Sequence, residues 1–265
     1  MSEVPNRIQI VGTGNIAFHV ASGLAKQQTV HSIRINARSE THHDLFMSIS
    51  PKIDFCINEK PDFTYPFTII AVSDDAIGEV AEAWSGYPHL MVHTAGSVPI
   101  DVLKEAGINN FGALYPLQTF SINRKINWKK IPIFINSNNE ENLNNIYSVA
   151  RLLSPNIIPI TDSNRLALHI GAVIANNFTN HLFAIADKWL VSNDLKFEYL
   201  LPLIRETVDK LEEMSPLDAQ TGPAKRNDRR VINKHMGQLE GDQDLKELYL
   251  RLTESIFKFH HERGY

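Results

Sequence analysis

The stretch IQIVGTGNIAFHVASGLAKQ, from Ile8 to Gln27, carries the reading of the fold. Ile8 to Val11 is a short apolar run of the kind found in a strand buried on both faces. Gly12-Thr13-Gly14-Asn15-Ile16-Ala17 then fits the spacing GxGxxA, and helical periodicity follows it. In that strand-turn-helix order each small residue has a task. Gly12 permits the tight turn, Gly14 lets the backbone approach a pyrophosphate, and Ala17 lets the helix pack closely onto the strand. The free N–H groups and the dipole at the helix start then attract an anion. The alternative is a tight turn with no ligand, and the surroundings of the motif weigh against it.

Outward from this segment, β-branched runs alternate with helical stretches. Strands are expected at Ile8 to Val11, Val30 to Asn36, Ile53 to Ile57, Phe67 to Val72, Leu90 to His93, Phe111 to Tyr115, Ile131 to Asn136 and Asn156 to Ile160. The Asn-rich segment Ser137 to Asn145 is expected to be a solvated loop entering a helix at Ile146. Beyond residue 160 only helical periodicity remains, over Thr161 to Val191, Phe197 to Met214, Asn227 to Leu239 and Leu245 to His260. The expected fold class is therefore α/β: a doubly wound, mostly parallel sheet of Rossmann type over residues 1–160, then an all-helical domain over 161–265.

The whole chain has 265 residues, enough for one large domain or two. Its 26 basic and 30 acidic residues give −4, so no global positive field draws nucleic acid or an anionic membrane. No apolar run reaches the roughly 18 to 20 residues of a membrane span, and no basic, apolar leader precedes Ile8, so a soluble cytoplasmic protein is expected. The lone Cys56 cannot form an intramolecular disulfide. His42-His43 and His260-His261 are adjacent rather than one helical turn apart, and no HExxH or CxxC pattern occurs, so no metal site is expected.

The end of the second strand bears on which dinucleotide fits. NAD usually requires a carboxylate there for the ribose hydroxyls. This chain has Asn36-Ala37-Arg38-Ser39 instead, with Glu40 beyond the strand end. Arg38 can pair with a 2′-phosphate through its planar fork, and Asn36 and Ser39 can donate neutral hydrogen bonds, so NADP(H) is favoured. The bland alternative makes Arg38 a solvated loop residue. Two later strand ends should face the same cleft: Val72 and Ser73, followed by Asp74 and Asp75, and His93-Thr94-Ala95-Gly96, whose small residues would let a nicotinamide ring lie near the backbone. Asp74 or Asp75 reads better as a helix cap than as a ligand contact.

The loop GTGNIA, the turn NARS and the strand ends AVSD and HTAG resemble the cofactor half of pyrroline-5-carboxylate reductase, 3-hydroxyisobutyrate dehydrogenase and deazaflavin-dependent NADP oxidoreductases. The whole chain more closely resembles a bacterial group of NADP oxidoreductases that pair a Rossmann-like domain with a C-terminal helical domain of unknown function. LYPLQTF at 114–120, NNFTNHL at 176–182 and TGPAKRND at 221–228 carry that closer match. The resemblance implies the fold, NADP(H) binding and a homodimer through the helical domain. It implies no substrate.

On an ideal helix wheel Asn176, His169 and Asn180 fall at roughly 20°, 40° and 60° from Arg165, one polar stripe on an otherwise apolar helix. Such a stripe must face a wet cleft, a ligand or another polar surface. In the related hydroxyacid dehydrogenases the helix opening the second domain carries a catalytic lysine one turn before an asparagine. Aligning the asparagine pairs puts Val173 at the lysine's place. His169, one turn earlier, is then the candidate proton donor, and Asn176 or Asn177 the group that orients the substrate. The alternative for His169 is a hydrogen-bonded core or interface histidine. Lys225, Arg226, Arg229, Arg230 and Lys234 give a basic helix start suited to a carboxylate or phosphate, at a position resembling the substrate loop of pyrroline-5-carboxylate reductase. Thr221 and Arg226 are the substrate candidates there, against a merely solvated basic face. Tyr115 and Gln118 can line the cleft, or serve as a packed tyrosine and a turn glutamine.

The expected function is hydride transfer between NADP(H) and a small carbonyl, imine or hydroxyl substrate in a cleft between the domains. The rival is a catalytically silent NADP(H)-binding sensor or interaction protein, favoured by Val173 at the lysine position.

Overall fold

The computed structural model describes residues 4–261. Its centre is an eight-stranded sheet in the order β3-β2-β1-β4-β5-β6-β7-β8. The strands are β1 (Arg7–Val11), β2 (Ser32–Ala37), β3 (Ile53–Ile57), β4 (Phe67–Ile70), β5 (Leu90–His93), β6 (Phe111–Pro116), β7 (Ile133–Ser137) and β8 (Ile157–Pro159). β6 and β7 pair antiparallel, with Ala113 opposite Asn136, and every other pairing is parallel. The strand order reverses direction between β1 and β4, which opens a crevice beyond their carboxyl ends. All eight expected strands are present, β3 and β5 with the expected bounds and the others with ends shifted by one or two residues.

Helices cover both faces of the sheet, so its central strands are apolar along their whole length. β4 is buried at each of its four positions, and Ile8, Ile10, Ile33, Ile35 and Ile69 are fully buried. The helix after the glycine loop, α1 (Asn15–Ala25), buries Ala17, Ala21 and Leu24 in that core. Short helices α2 (His43–Met47), α3 (Ile77–Ala83) and α4 (Asp101–Glu105) follow β2, β4 and β5. A second apolar cluster joins α3 and α4 to β5 through Ile77, Ala81, Met91 and Leu103.

The Asn-rich segment departs from expectation. Helix α5 (Glu140–Arg151) begins six residues before Ile146. Asn139 caps it by accepting from the Asn142 N–H at 2.8 Å, and Glu140 and Glu141 lie in the first turn, where the helix dipole favours acids. The loop reading missed these start signals.

The chain forms two compact units, the first ending at Asn180 and the second beginning at His181. The first therefore runs past the sheet into α6 (Asp162–Ala172), which Asp162 ties down. Its carboxylate accepts from Asn136 Nδ2 on β7 at 2.7 Å and from the Ile100 N–H at 2.8 Å. A π-helical turn at Val173–Phe178 joins α6 to α7 (Thr179–Val191), so the stretch is continuous but not α-helical throughout. Apolar residues on nearly every face of this stretch are the pattern of a helix covered within a larger protein or between subunits. Within the chain Arg165 is the buried residue of α6, and Leu166, Ile170, Ile174 and Phe178 are 42 to 58% exposed.

The second unit contains α8 (Leu201–Asp209), α9 (Pro216–Ala219), α10 (Arg229–Gln238) and α11 (Gln243–His261), with no strand among its described residues. Among the described residues, no helix is long and apolar enough to cross a membrane.

Candidate active site

The glycine loop bounds a cavity of about 710 Å³, within the size range of small-molecule sites. Gly12 has φ +113°, and an added Cβ there would strike the backbone of Ala71 at the end of β4. Its N–H donates to the Asn36 carbonyl at 3.0 Å, which locks the loop against β2. A Cβ on Gly14 would instead meet nothing within 4 Å, leaving the space in front of α1 open. No side chain caps α1 and no acid lies in its first turn, so its leading N–H groups face the cavity as an anion site. The His42 Nδ1–H donates to the Thr13 carbonyl at 2.9 Å and holds the loop from the opposite side.

Ten of the residues expected at the cofactor cleft line this first cavity, whereas Thr94, Ala95 and Gly96, expected at the same cleft, line a different one. Gly12, Thr13, Gly14, Asn15 and Ile16 line it, as do Asn36, Arg38, Ser39, Val72 and Ser73. These residues fit a dinucleotide: an uncapped helix start for the pyrophosphate and, at the end of β2, Arg38 and the Ser39 hydroxyl in place of a carboxylate, while the buried Asn36 amide, expected as a further donor, donates inward to Gln9 Oε1 at 3.5 Å.

A second cavity, of about 430 Å³, lies beyond β5 and β6. Thr94, Ala95 and Gly96 line it, together with Tyr115, Gln118, His169, Asn176 and Asn177. Its centre is a hydrogen bond between the Tyr115 hydroxyl and His169 Nδ1, 3.0 Å long, with the two rings nearly perpendicular. Gly96 makes room for that pair. A Cβ built on it would lie 2.5 Å from His169 Nδ1 and 2.9 Å from Tyr115 Cζ. The sequence assigned Gly96 to the approach of a nicotinamide ring, and the geometry adds a different reason for a glycine.

Burial pushes the Tyr115 phenol up from its ordinary pKa, with the Asp74 carboxylate adding to the shift and the Arg165 cation opposing it. Arg165 is 1% exposed, one turn before His169, and is held by Asp162 at 2.9 Å and by the Val98 carbonyl. The Asn176 amide donates to Asn177 Oδ1 at 3.0 Å.

Three further expectations need correction. His93 does not line either cavity: it is fully buried, and its Nδ1 accepts from the Ala95 N–H at 3.2 Å. Burial, helped by the Arg165 charge, pushes its pKa down to about 3. Asp74 caps no helix: Ser73 occupies the cap position without a side-chain bond, and the Ser97 hydroxyl donates to the Asp74 carboxylate on the wall of the second cavity. The polar stripe also breaks. Arg165 faces inward and Asn180 lies off the cavity, whereas the wider π turn brings the adjacent Asn176 and Asn177 to it together.

Thr221 and Arg226 belong to the second unit, where both are exposed on the turns before α10. Asp74, read from the sequence as a helix cap rather than a ligand contact, lines the second cavity, and its position after a central strand was the available signal.

Residues 131–256 match a family described as a domain of unknown function (DUF2520). Among curated proteins, none matches the chain. A solved structure titled "putative NADP oxidoreductase", from Bacteroides fragilis, is similar over 96% of this chain and 98% of its own, with 32% identity and a TM-score of 0.85. Pyrroline carboxylate reductase from Plasmodium falciparum, solved with NADP bound, is similar at 12% identity over 96% of this chain and 100% of its own, with a TM-score of 0.61. Pyrroline-5-carboxylate reductase from Coxiella burnetii is similar at 16% identity over 98% of both chains, with a TM-score of 0.59. The last two likenesses are of fold.

Proposed function

This chain belongs to the family of NADP oxidoreductases represented by the Bacteroides fragilis protein, and on that premise we propose that it moves hydride between NADP(H) and a small carbonyl, imine or hydroxyl compound in the second cavity. The observation that carries this reading is the Tyr115–His169 pair, set beside a cavity built on a glycine loop. The nucleotide, when bound, supplies the hydride. The chain supplies its binding, the orientation of the substrate and a proton.

Arg38 and Ser39 give the nucleotide site its preference for a 2′-phosphate. His169 gives the proton. In its imidazolium form His169 donates from Nδ1–H to the Tyr115 hydroxyl oxygen and carries a second proton on Nε2, and passing that Nε2 proton to a reduced oxygen or nitrogen leaves the neutral imidazole. Tyr115 thereby sets the tautomer and the ring angle. Asn176 and Asn177 present amide groups to the substrate from the same wall. Val173 lines this wall without a titratable group, so the proton does not come from its position.

The test pairs binding with turnover. Calorimetry with NADPH and NADH should show preference for NADPH, weakened in Arg38→Ala. Oxidation of NADPH is then screened against carbonyls and imines. His169→Ala should lower kcat about 100-fold or more on any compound turned over, in line with loss of a general acid. NADPH binding without turnover of any compound would favour a silent sensor.

The protein is further proposed to be a homodimer. Leu166, Ile170, Ile174 and Phe178 recur every four residues and stay exposed, which is the pattern of a helix covered by another surface. A monomeric mass across a wide concentration range would refute this.

A further inference from the structure

We propose that Gln118 positions the nicotinamide end of the cofactor, by donating a hydrogen bond from Nε2 to the carboxamide oxygen. The inference rests on the NADP(H) reading above and deepens it. Ile16 and Gln118 line both cavities, the one built on the glycine loop and the one holding Tyr115 and His169. Hydride passing from a nucleotide in the first cavity to a substrate in the second must cross at these two residues. Ile16 offers an apolar surface for a ring face. Gln118 offers an amide.

The orientation of that amide follows from its turn. The Thr119 N–H can only donate, and it donates to Gln118 Oε1 at 2.8 Å, so Oε1 faces the backbone and Nε2 is left as the outward donor. A nicotinamide carboxamide presents the matching acceptor. The loop is held firmly enough to make the placement specific. Its Phe120 packs against the ring of His19 on α1, at 5.5 Å between centroids, and His19 Nε2–H donates to the Ser121 carbonyl at 2.9 Å. The Gln118 N–H closes onto the Pro116 carbonyl at 3.1 Å. The helix that receives the pyrophosphate therefore also anchors the loop that carries Gln118, which fixes the spacing between the two ends of the nucleotide.

The experiment measures binding of NADPH and of 2′-phospho-ADP-ribose, which lacks the nicotinamide, to the full chain and to Gln118→Ala and Gln118→Glu. The glutamate keeps an oxygen for the Thr119 N–H, so the turn survives while the outward donor is lost. NADPH should bind about three- to tenfold more weakly to both variants, with 2′-phospho-ADP-ribose unchanged. If NADPH affinity is unaltered, or if both ligands weaken equally, Gln118 does not hold the carboxamide and the proposal is wrong. If the unaltered chain binds neither ligand, the NADP(H) reading itself has failed.

Discussion

Ile69 and Leu203 are both aliphatic and both sit within regular structure, yet Ile69 in β4 is fully buried and Leu203 in α8 is 63% exposed. The contrast extends across the two units. The first closes its own core, with Ile8, Ile10, Val20, Leu24 and Ile133 inaccessible to water. In the second, α8 and α11 bury no residue, and Val191, Leu195, Tyr199 and Val208 are exposed along with Leu203. A sheet covered by helices satisfies its apolar surface within one chain. Helices whose apolar residues remain uncovered, α6 at the end of the first unit among them, call for another surface, and that difference separates the sheet, whose mutations act locally, from helical faces whose mutations act through assembly.

The sharpest test of this contrast is a truncation in the core. Ile69→Ala should cost about 2–5 kcal/mol, read as a lower midpoint in the urea transition of the sheet unit. A cost below about 0.5 kcal/mol would mean that the core is not closed as described.

A methyl group at the cavity wall comes next. Gly96→Ala should displace the Tyr115–His169 pair and lower kcat about 100-fold, the scale expected for a misplacement near 1 Å, while NADPH binding holds. Equal loss of binding and turnover would show that Gly96 serves the nucleotide instead.

A pH effect of about 2 kcal/mol follows from His93. Folded, its imidazole resists protonation until about pH 3, whereas the unfolded chain takes up the proton near the ordinary value of 6.5. Between those values the unfolded state holds the extra proton, so stability declines as pH falls. At pH 5 about 2 kcal/mol should be lost relative to pH 7.5 through this one residue. His93→Asn, whose Oδ1 can still accept from Ala95, should flatten that part of the urea-midpoint profile.

The smallest effect is expected at Leu203. Leu203→Ala should change the stability of the isolated protomer by less than about 0.5 kcal/mol, measured at high dilution. A larger cost under those conditions would show that the helical surface is covered within the chain.

The sheet was legible because its strands are short apolar runs, most of them rich in β-branched residues, set between turn residues, and the glycine loop because its spacing follows from steric need at Gly12. Burial on the scale of single side chains was less legible. His93 and Thr94 are neighbours in sequence, and only the orientation of the chain after β5 decides which one lines the cavity. The start of α5 carried a readable signal in Asn139, Glu140 and Glu141, obscured by the density of asparagines. The placement of Asn176 and Asn177 was out of reach for another reason: a wheel drawn at about 100° per residue presumes α-helical geometry throughout.

The π turn at Val173–Phe178 also bears on how such a chain can change over time. Wider turns of this kind accommodate one residue more than the helix around them, so they mark places where an insertion or deletion can be absorbed without breaking the helix. A lineage that lost one residue here would keep a continuous helix and a glycine loop, and no substitution at the cavity would be visible in an alignment. It would nonetheless present one asparagine to the second cavity where this chain presents two. Gap placement at this turn therefore decides the lining of that cavity as directly as a substitution does.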